Sequence, residues 1–497
     1  MKGGRGIRLL SFSALLVSLL AAAAGGCEDE FGPATAPGPP GATDPPQPAP
    51  ELVVVYLIDA LRADHTGPYG GSVATPNLDA LAARGTVFEQ AYAPAPWTLP
   101  SVVSLLSGVH ACRHGVLDDR DRVARQRRLL AAWLNAAGWS TASFHQNPYS
   151  GPAHGVARDY DHAEAVAFDA RAGARALAWI DQRLQRGDQR LFVYIHTVEP
   201  HDPYRPPDAL LPPGIDREQE QRINRLLRRY RKLTRVDFAA GRAPGNTDNT
   251  ATQQAVIRAI AAEQPAVGRL YAAEVVRADR NLGRFVAGLR RRAVWEHTLL
   301  LVLSDHGEEL GDHGGWEHDQ SVYEELVRVP WLICRGAGDG GGRRVATPVS
   351  GVDLVPTLLD LLDIGYDPDR FDGTSLAGCL RGEPAPAQPR VLALRRNRKK
   401  YYRPWAQSRG PDNAVVRRGR WKLIWNQGPG TTELYDLRAD PEERRDRAAA
   451  QPGVRAGLLQ VAQKALAGCR PDAAAETGAA EPDDALREQL RALGYTE

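Results

Sequence analysis

The sequence predicts an α/β fold: a doubly wound, mostly parallel sheet with a small C-terminal α+β subdomain carrying an antiparallel sheet. Three observations lead there. Leu52–Ile58, Leu191–Ile195 and Thr298–Leu303 are continuous apolar runs, the pattern of strands buried on both faces. Stretches with helical spacing separate them, and this alternation is that of parallel sheets covered by helices. Beyond a Pro-rich joint at Pro384–Pro389 the pattern changes. Trp421–Trp425 and Glu433–Leu437 alternate around a Gly-Pro-Gly turn, as in an antiparallel pair.

The first residues read as a targeting segment. Lys2, Arg5 and Arg8 precede an apolar run, Leu9–Ala24, of about 16 residues, short for a membrane span. Gly25-Gly26-Cys27 follows, and the segment resembles a bacterial lipoprotein leader with Cys27 as the lipidated residue. The expected boundaries are a signal peptide over 1–26 and a flexible lipid-anchored linker over 27–50, rich in Gly, Pro, Ala and Thr. The expected location is an exported, membrane-anchored lipoprotein of a bacterial envelope, otherwise periplasmic or secreted, with the N-terminal lipid as its only membrane contact. With 43% apolar residues over 497, the rest can fill one large core or two domains. The formal net charge of +2 gives no global pull toward nucleic acid, and none is expected as a partner. The clusters Arg225–Arg231 and Arg395–Lys400 are broken by apolar residues and read as solvated surface. Cys112, Cys334, Cys379 and Cys469 show no metal-binding spacing, and their pairing cannot be read from sequence.

Taken in order, a catalytic domain is expected over 51–383. Its first strand ends at Asp59, a carboxylate where open α/β sheets place their sites. Thr75-Pro76-Asn77 opens a helix closed by Gly85. A Pro-punctuated loop from Tyr92 leads into a helix through Gly108, with Pro100 at an early helical position. Thr98 therefore stands at a helix N-terminus, suited to a tetrahedral oxyanion, although a simple N-cap looks the same. Further helices are expected over Arg125–Ala137, Phe168–Leu184, Leu270–Arg290 and Val352–Leu362, with strands at Thr141–His145 and Val329–Cys334. Residues 208–267 read as a helical insertion, broken at Gly241–Thr250, over one edge of the site; such insertions set substrate choice. The tail, 384–497, is the expected subdomain, with a terminal helix at Asp484–Leu493.

The chemistry-bearing residues gather at strand ends. Leu191–Ile195 runs into His196-Thr-Val-Glu-Pro-His201-Asp-Pro-Tyr204, and Thr298–Leu303 into Ser304-Asp305-His306-Gly-Glu-Glu. Asp, His and Asp from separate strands are hard ligands for a divalent cation. Carboxylates alone suit Ca²⁺ or Mg²⁺, and a His ligand moves the expectation toward Mn²⁺ or Zn²⁺.

With these residues assembled, the chain resembles the sulfatase family of the alkaline phosphatase superfamily over Leu52–Ala448. The motifs stand in the family's order: Leu-Ile-Asp59-Ala-Leu-Arg-Ala-Asp, Trp-Thr98-Leu-Pro-Ser, Glu-Pro-His201-Asp-Pro-Tyr, Ser-Asp305-His306-Gly-Glu and Tyr323-Glu-Glu-Leu-Val-Arg-Val-Pro330. The resemblance implies an alkaline phosphatase-like fold. It implies one divalent metal ion on Asp59, Asp305 and His306, with Thr98, at the nucleophile position, as a further ligand. It implies a substrate-anion contact at His201; the polar cluster at the same strand end adds His196 as a substrate-binding candidate. It implies a further contact at His318, where many sulfatases carry a Lys, and from there His318 can protonate the leaving oxygen.

The chain departs from typical sulfatases at three positions. Ala60 replaces a second Asp. Thr98 replaces the Cys or Ser that matures to formylglycine. Val102 replaces the Arg of the maturation motif. Formylglycine is not expected here. A Thr beside one metal also looks like lipoteichoic acid synthases and phosphoethanolamine transferases. A formylglycine hydrate releases sulfate by collapsing to the aldehyde, which a threonyl ester cannot do, whereas water can displace a threonyl phosphate at phosphorus. The expected activity is thus hydrolysis of a sulfate or phosphate ester through Thr98, on a sulfated or phosphorylated glycan, lipid or small molecule. Chemistry favours the phosphoester and the resemblance the sulfate ester. The competing reading is a catalytically inactive sulfatase-like surface protein that binds glycans or anions.

Overall fold

In a computed structural model, residues 50–119, 121–168, 172–234, 247–338, 341–385, 390–395, 413–467, 469 and 476–477 are described. The leader, Cys27, the linker and the helix expected at Asp484–Leu493 lie outside them.

Eight strands form the central sheet: β1 (Leu52–Ile58), β2 (Thr86–Phe88), β3 (Ser140–His145), β4 (His162–Ala165), β5 (Leu191–Thr197), β6 (Thr298–Ser304), β7 (Trp331–Arg335) and β8 (Arg343–Val345). Their spatial order is β8-β2-β7-β6-β1-β5-β3-β4. β1 lies at the centre, parallel to β5 and β6, and β3 runs parallel to β5 and β4. β7, expected simply as another strand, runs antiparallel to β6 and β2. Pairing of Ile58 with Thr197 and Ser304 brings the C-terminal ends of β1, β5 and β6 level.

The period-2 geometry of β1 explains its uninterrupted apolarity. Leu52, Val54, Tyr56 and Ile58 enter one core with α1 (Pro76–Ala82), α4 (Ala172–Gln185) and α7 (Gln264–Arg291). Val53, Val55 and Leu57 enter a second core with α2 (Thr98–Ser107), α3 (Leu130–Ala136) and α8 (Leu354–Leu361). Helices on both faces make the doubly wound arrangement. α3 is shorter than expected, because the chain before it turns at Ala124–Arg127 and Arg158 bonds the Val123 carbonyl. α7 is longer than expected, because Pro265 occupies its first turn, where a missing N–H costs nothing.

The insertion is an antiparallel helical pair, α5 (Arg217–Thr234) and α6 (Thr247–Ala262), whose Ile223, Leu227, Tyr230, Val256 and Ile260 join the first core. The C-terminal region carries the expected antiparallel sheet, β9 (Val391–Arg395), β10 (Asn413–Arg418), β11 (Trp421–Asn426) and β12 (Thr431–Asp436), in that order. Helix α9 (Pro452–Ala467), which the sequence did not announce, covers one face. A disulfide joins Cys112 to Cys469, while Cys334 and Cys379 are buried and outside any disulfide among the described residues. Among the described residues, no helix is long and apolar enough to cross a membrane.

Candidate active site

The level ends of β1, β5 and β6 put Asp59, His196 and Asp305 together, all fully buried. Their ligand atoms lie within 4.8 Å of one another. His196 Nε2 is 3.7 Å from Asp59 Oδ2 and 4.0 Å from Asp305 Oδ2. His306 Nε2 is 3.4 Å from Asp59 Oδ1 and 3.5 Å from Asp305 Oδ2. Asp59 Oδ1, Asp305 Oδ2 and His196 Nε2 have no hydrogen-bond partner among the described residues. Burial and the nearby Asp305 push the Asp59 carboxyl well above its usual range, and burial raises Asp305. Two buried carboxylates and an imidazole with converging, unsatisfied atoms fit a divalent cation, whose charge would remove this repulsion. His196, expected to face the substrate, instead stands among these carboxylates. Its Nδ1 lies 2.6 Å from Ser150 Oγ, a contact that fixes the ring and leaves Nε2 for the cluster.

Thr98 is buried at the first position of α2, as its sequence context predicts. Trp97, extended at φ −161°, delivers it there, and the first-turn N–H groups of a helix have no intrahelical acceptor. Thr98 Oγ1 is 3.1 Å from His306 Nε2. His306 Nδ1 lies 2.7 Å from the Gly307 carbonyl, which can only accept, so Nδ1 carries the proton and Nε2 presents a lone pair. The Ser101 hydroxyl bonds the Asp305 carbonyl at 2.6 Å and ties α2 to the end of β6.

His201 and His318 close the other side. The His201–His318 ring centroids are 4.9 Å apart, and those of His306 and His318 are 4.4 Å apart. Burial lowers His201 to about 3, so its imidazole is neutral, and its Nδ1 lies 2.5 Å from the Asp202 carbonyl. His318 Nδ1 lies 3.0 Å from Glu308 Oε1. All the residues singled out in the described part of the chain therefore stand in one cluster.

Sequence reasoning passed over Asn147. Its amide donates to Asp59 Oδ2 at 2.6 Å and reaches Thr98 Oγ1 at 3.5 Å, while its carbonyl accepts from the Tyr149 N–H. It stands just beyond β3, and the strand-end rule that selected Asp59 and Asp305 selects it too. Ala60, at the position of a typical second Asp, is buried and left-handed (φ 57°), with its carbonyl held by the Tyr271 hydroxyl at 2.7 Å.

Comparisons with known proteins point to one family. The family description "Sulfatase" matches residues 51–364, and "N-sulphoglucosamine sulphohydrolase, C-terminal" matches residues 311–460. The chain is 24% identical over 453 residues to an arylsulfatase of Clostridium perfringens, covering 79% of this chain and 89% of that protein. It is 25% identical over 442 residues to a choline-sulfatase of Rhizobium meliloti, covering 79% and 81%. Among solved structures, the phosphonate monoester hydrolase of Agrobacterium radiobacter superposes with a TM-score of 0.63 at 22% identity, covering 84% of this chain and 96% of that one. The strand-end cluster and a family match across the whole central sheet lead to one conclusion: the chain belongs to the sulfatase family of ester hydrolases.

Proposed function

We propose that this protein is a metal-dependent hydrolase of tetrahedral oxyanion esters, phosphate esters foremost, working through a covalent intermediate on an unmodified Thr98. The observation that carries the reading is the 3.1 Å contact between Thr98 Oγ1 and the His306 Nε2 lone pair, beside two buried, unsatisfied carboxylates. Asp59, Asp305 and His196 would hold a divalent cation, which supplies positive charge to polarise the ester's oxygens and stabilise a nearby alkoxide, while the single lone pair of His306, a ligand by resemblance, stays with Thr98.

The chain's own residues do the rest. His306 Nε2 accepts the Thr98 hydroxyl's hydrogen bond and aims the oxygen out of the first turn of α2. Thr98 Oγ1 attacks phosphorus in line as its proton passes to His306 Nε2. The bond to the leaving oxygen breaks, and His318 gives that oxygen a proton. The N-terminus of α2 and the Asn147 amide hold the non-bridging oxygens; neutral His201, its proton committed to the Asp202 carbonyl, lines the site without donating to them. Water then attacks phosphorus, His318 takes its proton, and the Thr98 oxygen departs and takes back the proton held on His306 Nε2.

Phosphorus is favoured because a threonyl ester lacks the aldehyde-forming exit of formylglycine and must be resolved at the central atom. A second reading, with a sulfate ester as substrate, is supported by the arylsulfatase and choline-sulfatase relatives; water would then attack the threonyl sulfate at sulfur. An exported enzyme tethered through Cys27 goes with either reading, on the strength of the leader sequence alone.

The test is an assay of residues 28–497 on nitrophenyl phosphate, phosphodiester and sulfate with Mn²⁺, Zn²⁺, Mg²⁺ or Ca²⁺. Multiple turnovers on a phosphoester, lost in Thr98→Ala, support the proposal. Turnover on the sulfate alone shifts the substrate to the second reading. Silence on all three, with no metal bound, overturns both and leaves a binding protein.

A further inference from the structure

We propose that Arg231, on the insertion helix α5, is a positioning residue that locks His318 and His201 together, so that the insertion, as well as the central sheet, sets the geometry of the leaving-group proton. This rests on the reading of His318 as the proton donor.

The sequence reads Arg225–Arg231 as a solvated cluster, yet Arg231 is buried, with 5% exposure. Its Nε lies 3.0 Å and 3.1 Å from the two carboxylate oxygens of Glu317, and its Nη2 pairs with the Asp202 carboxylate. Glu317 immediately precedes His318, and Asp202 immediately follows His201. One guanidinium therefore bridges the two segments that carry these imidazoles. A planar fork suits this double pairing, and an ammonium does not reproduce it.

The backbone around His318 needs such a clamp. Glu317 and Asp319 both adopt left-handed conformations, at φ 71° and φ 79°. Neither is glycine, so the turn is strained on both sides of His318 and persists only where its surroundings hold it. Arg231 holds Glu317. Asp319 is held by its N–H on the Pro96 carbonyl at 3.0 Å and by Arg395 on its own carbonyl. α5 grips the His201 segment at a second point, since Asn224 bonds both the N–H (3.0 Å) and the carbonyl (2.8 Å) of Tyr204. The insertion is thus joined to the two histidine segments by buried charge pairs and hydrogen bonds.

Leaving-group dependence separates a role exerted through His318 from a general structural one. Nitrophenolate departs without a proton, whereas an alkoxide requires one. The measurement is kcat/KM on matched nitrophenyl and alkyl esters of whichever oxyanion turns over, for His318→Ala, Arg231→Gln, Arg231→Lys and Arg231→Gln/His318→Ala. The proposal expects Arg231→Gln to lose about 100-fold on the alkyl ester, the scale of a misplaced catalytic group, and little on the nitrophenyl ester. It expects partial rescue in Arg231→Lys and no further loss when Arg231→Gln is added to His318→Ala. Where Arg231→Gln alone does not fold, Arg231→Gln/Glu317→Gln, which removes charge from both partners, takes its place. Equal losses on both esters, or losses that add to those of His318→Ala, overturn the clamp. Equal losses on both esters in His318→Ala itself overturn the acid role of His318, a separate failure; the double variant still judges the clamp.

Discussion

The Thr98 hydroxyl lies 3.1 Å from His306 Nε2, and the Gly307 carbonyl opposite Nδ1 makes that Nε2 an acceptor. A threonine that merely capped its helix would bond a backbone N–H of its own first turn. Here the hydroxyl faces a ring at the end of another strand. Thr98→Ala is expected to lower kcat on the order of 1000-fold or more, while Thr98→Ser keeps the oxygen and most of the rate. Steady-state kinetics on the two variants checks this. Comparable activity in Thr98→Ala would remove Thr98 from the reaction.

Asn147 links the first carboxylate to the nucleophile. Asn147→Ala removes a donor from Asp59 and from the transferring group, with an expected loss of about 10–100-fold in kcat and a smaller change in KM. Asn147→Asp should do more damage, since it sets a third carboxylate against Asp59. Unchanged kinetics in both variants would reduce Asn147 to a turn residue.

Asp59 and Asp305 repel each other in a buried site, so the metal-free protein carries a built-in cost. A chelator is expected to lower Tm. Restoring a divalent ion at about 100 times its Kd should return about 2.7 kcal/mol of stability. Asp305→Asn should raise the Tm of the metal-free protein and abolish the gain from added metal. A Tm indifferent to chelator and ion in the wild type would argue against a resident cation.

How much of this was legible in the sequence depended on the local signal. β1, β5 and β6 were readable because strands buried on both faces leave long apolar runs, and Asp59 and Asp305 were readable because they end those runs. The antiparallel direction of β7 was not, because a buried strand has the same composition in either direction. Helix α9 was missed because its small residues bury only Leu458 and Ala462 fully and give a weak period. Asn147 was missed because the site needs an amide there, and an Asn-Pro pair reads as an ordinary turn. The burial of Arg231 depends on Asp202 and Glu317, partners remote in sequence, which no local pattern records.

Lys422 is buried between Glu324 and Glu443, 2.9 Å from each. One cation cannot neutralise both. Lys422 pulls Glu324 below its usual range despite burial, whereas burial pushes Glu443 up to about 8. A carboxyl raised in the folded state binds its proton more tightly there than in the unfolded chain. Its contribution is therefore fully present at acid pH and is lost as pH rises from the ordinary glutamate range through about 8. The urea midpoint should fall across that interval, and Glu443→Gln should flatten the fall. An identical pH profile in the variant would assign the dependence to other groups.

The most direct test of the central claim is to quench the working enzyme in acid and map the Thr98 peptide by mass spectrometry. The account predicts a phosphoryl group, or a sulfuryl group on a sulfate ester, on the Thr98 oxygen, present only during turnover and absent from His306→Ala. An unlabelled Thr98 in an enzyme that is turning over, or a formyl residue at position 98, would contradict it.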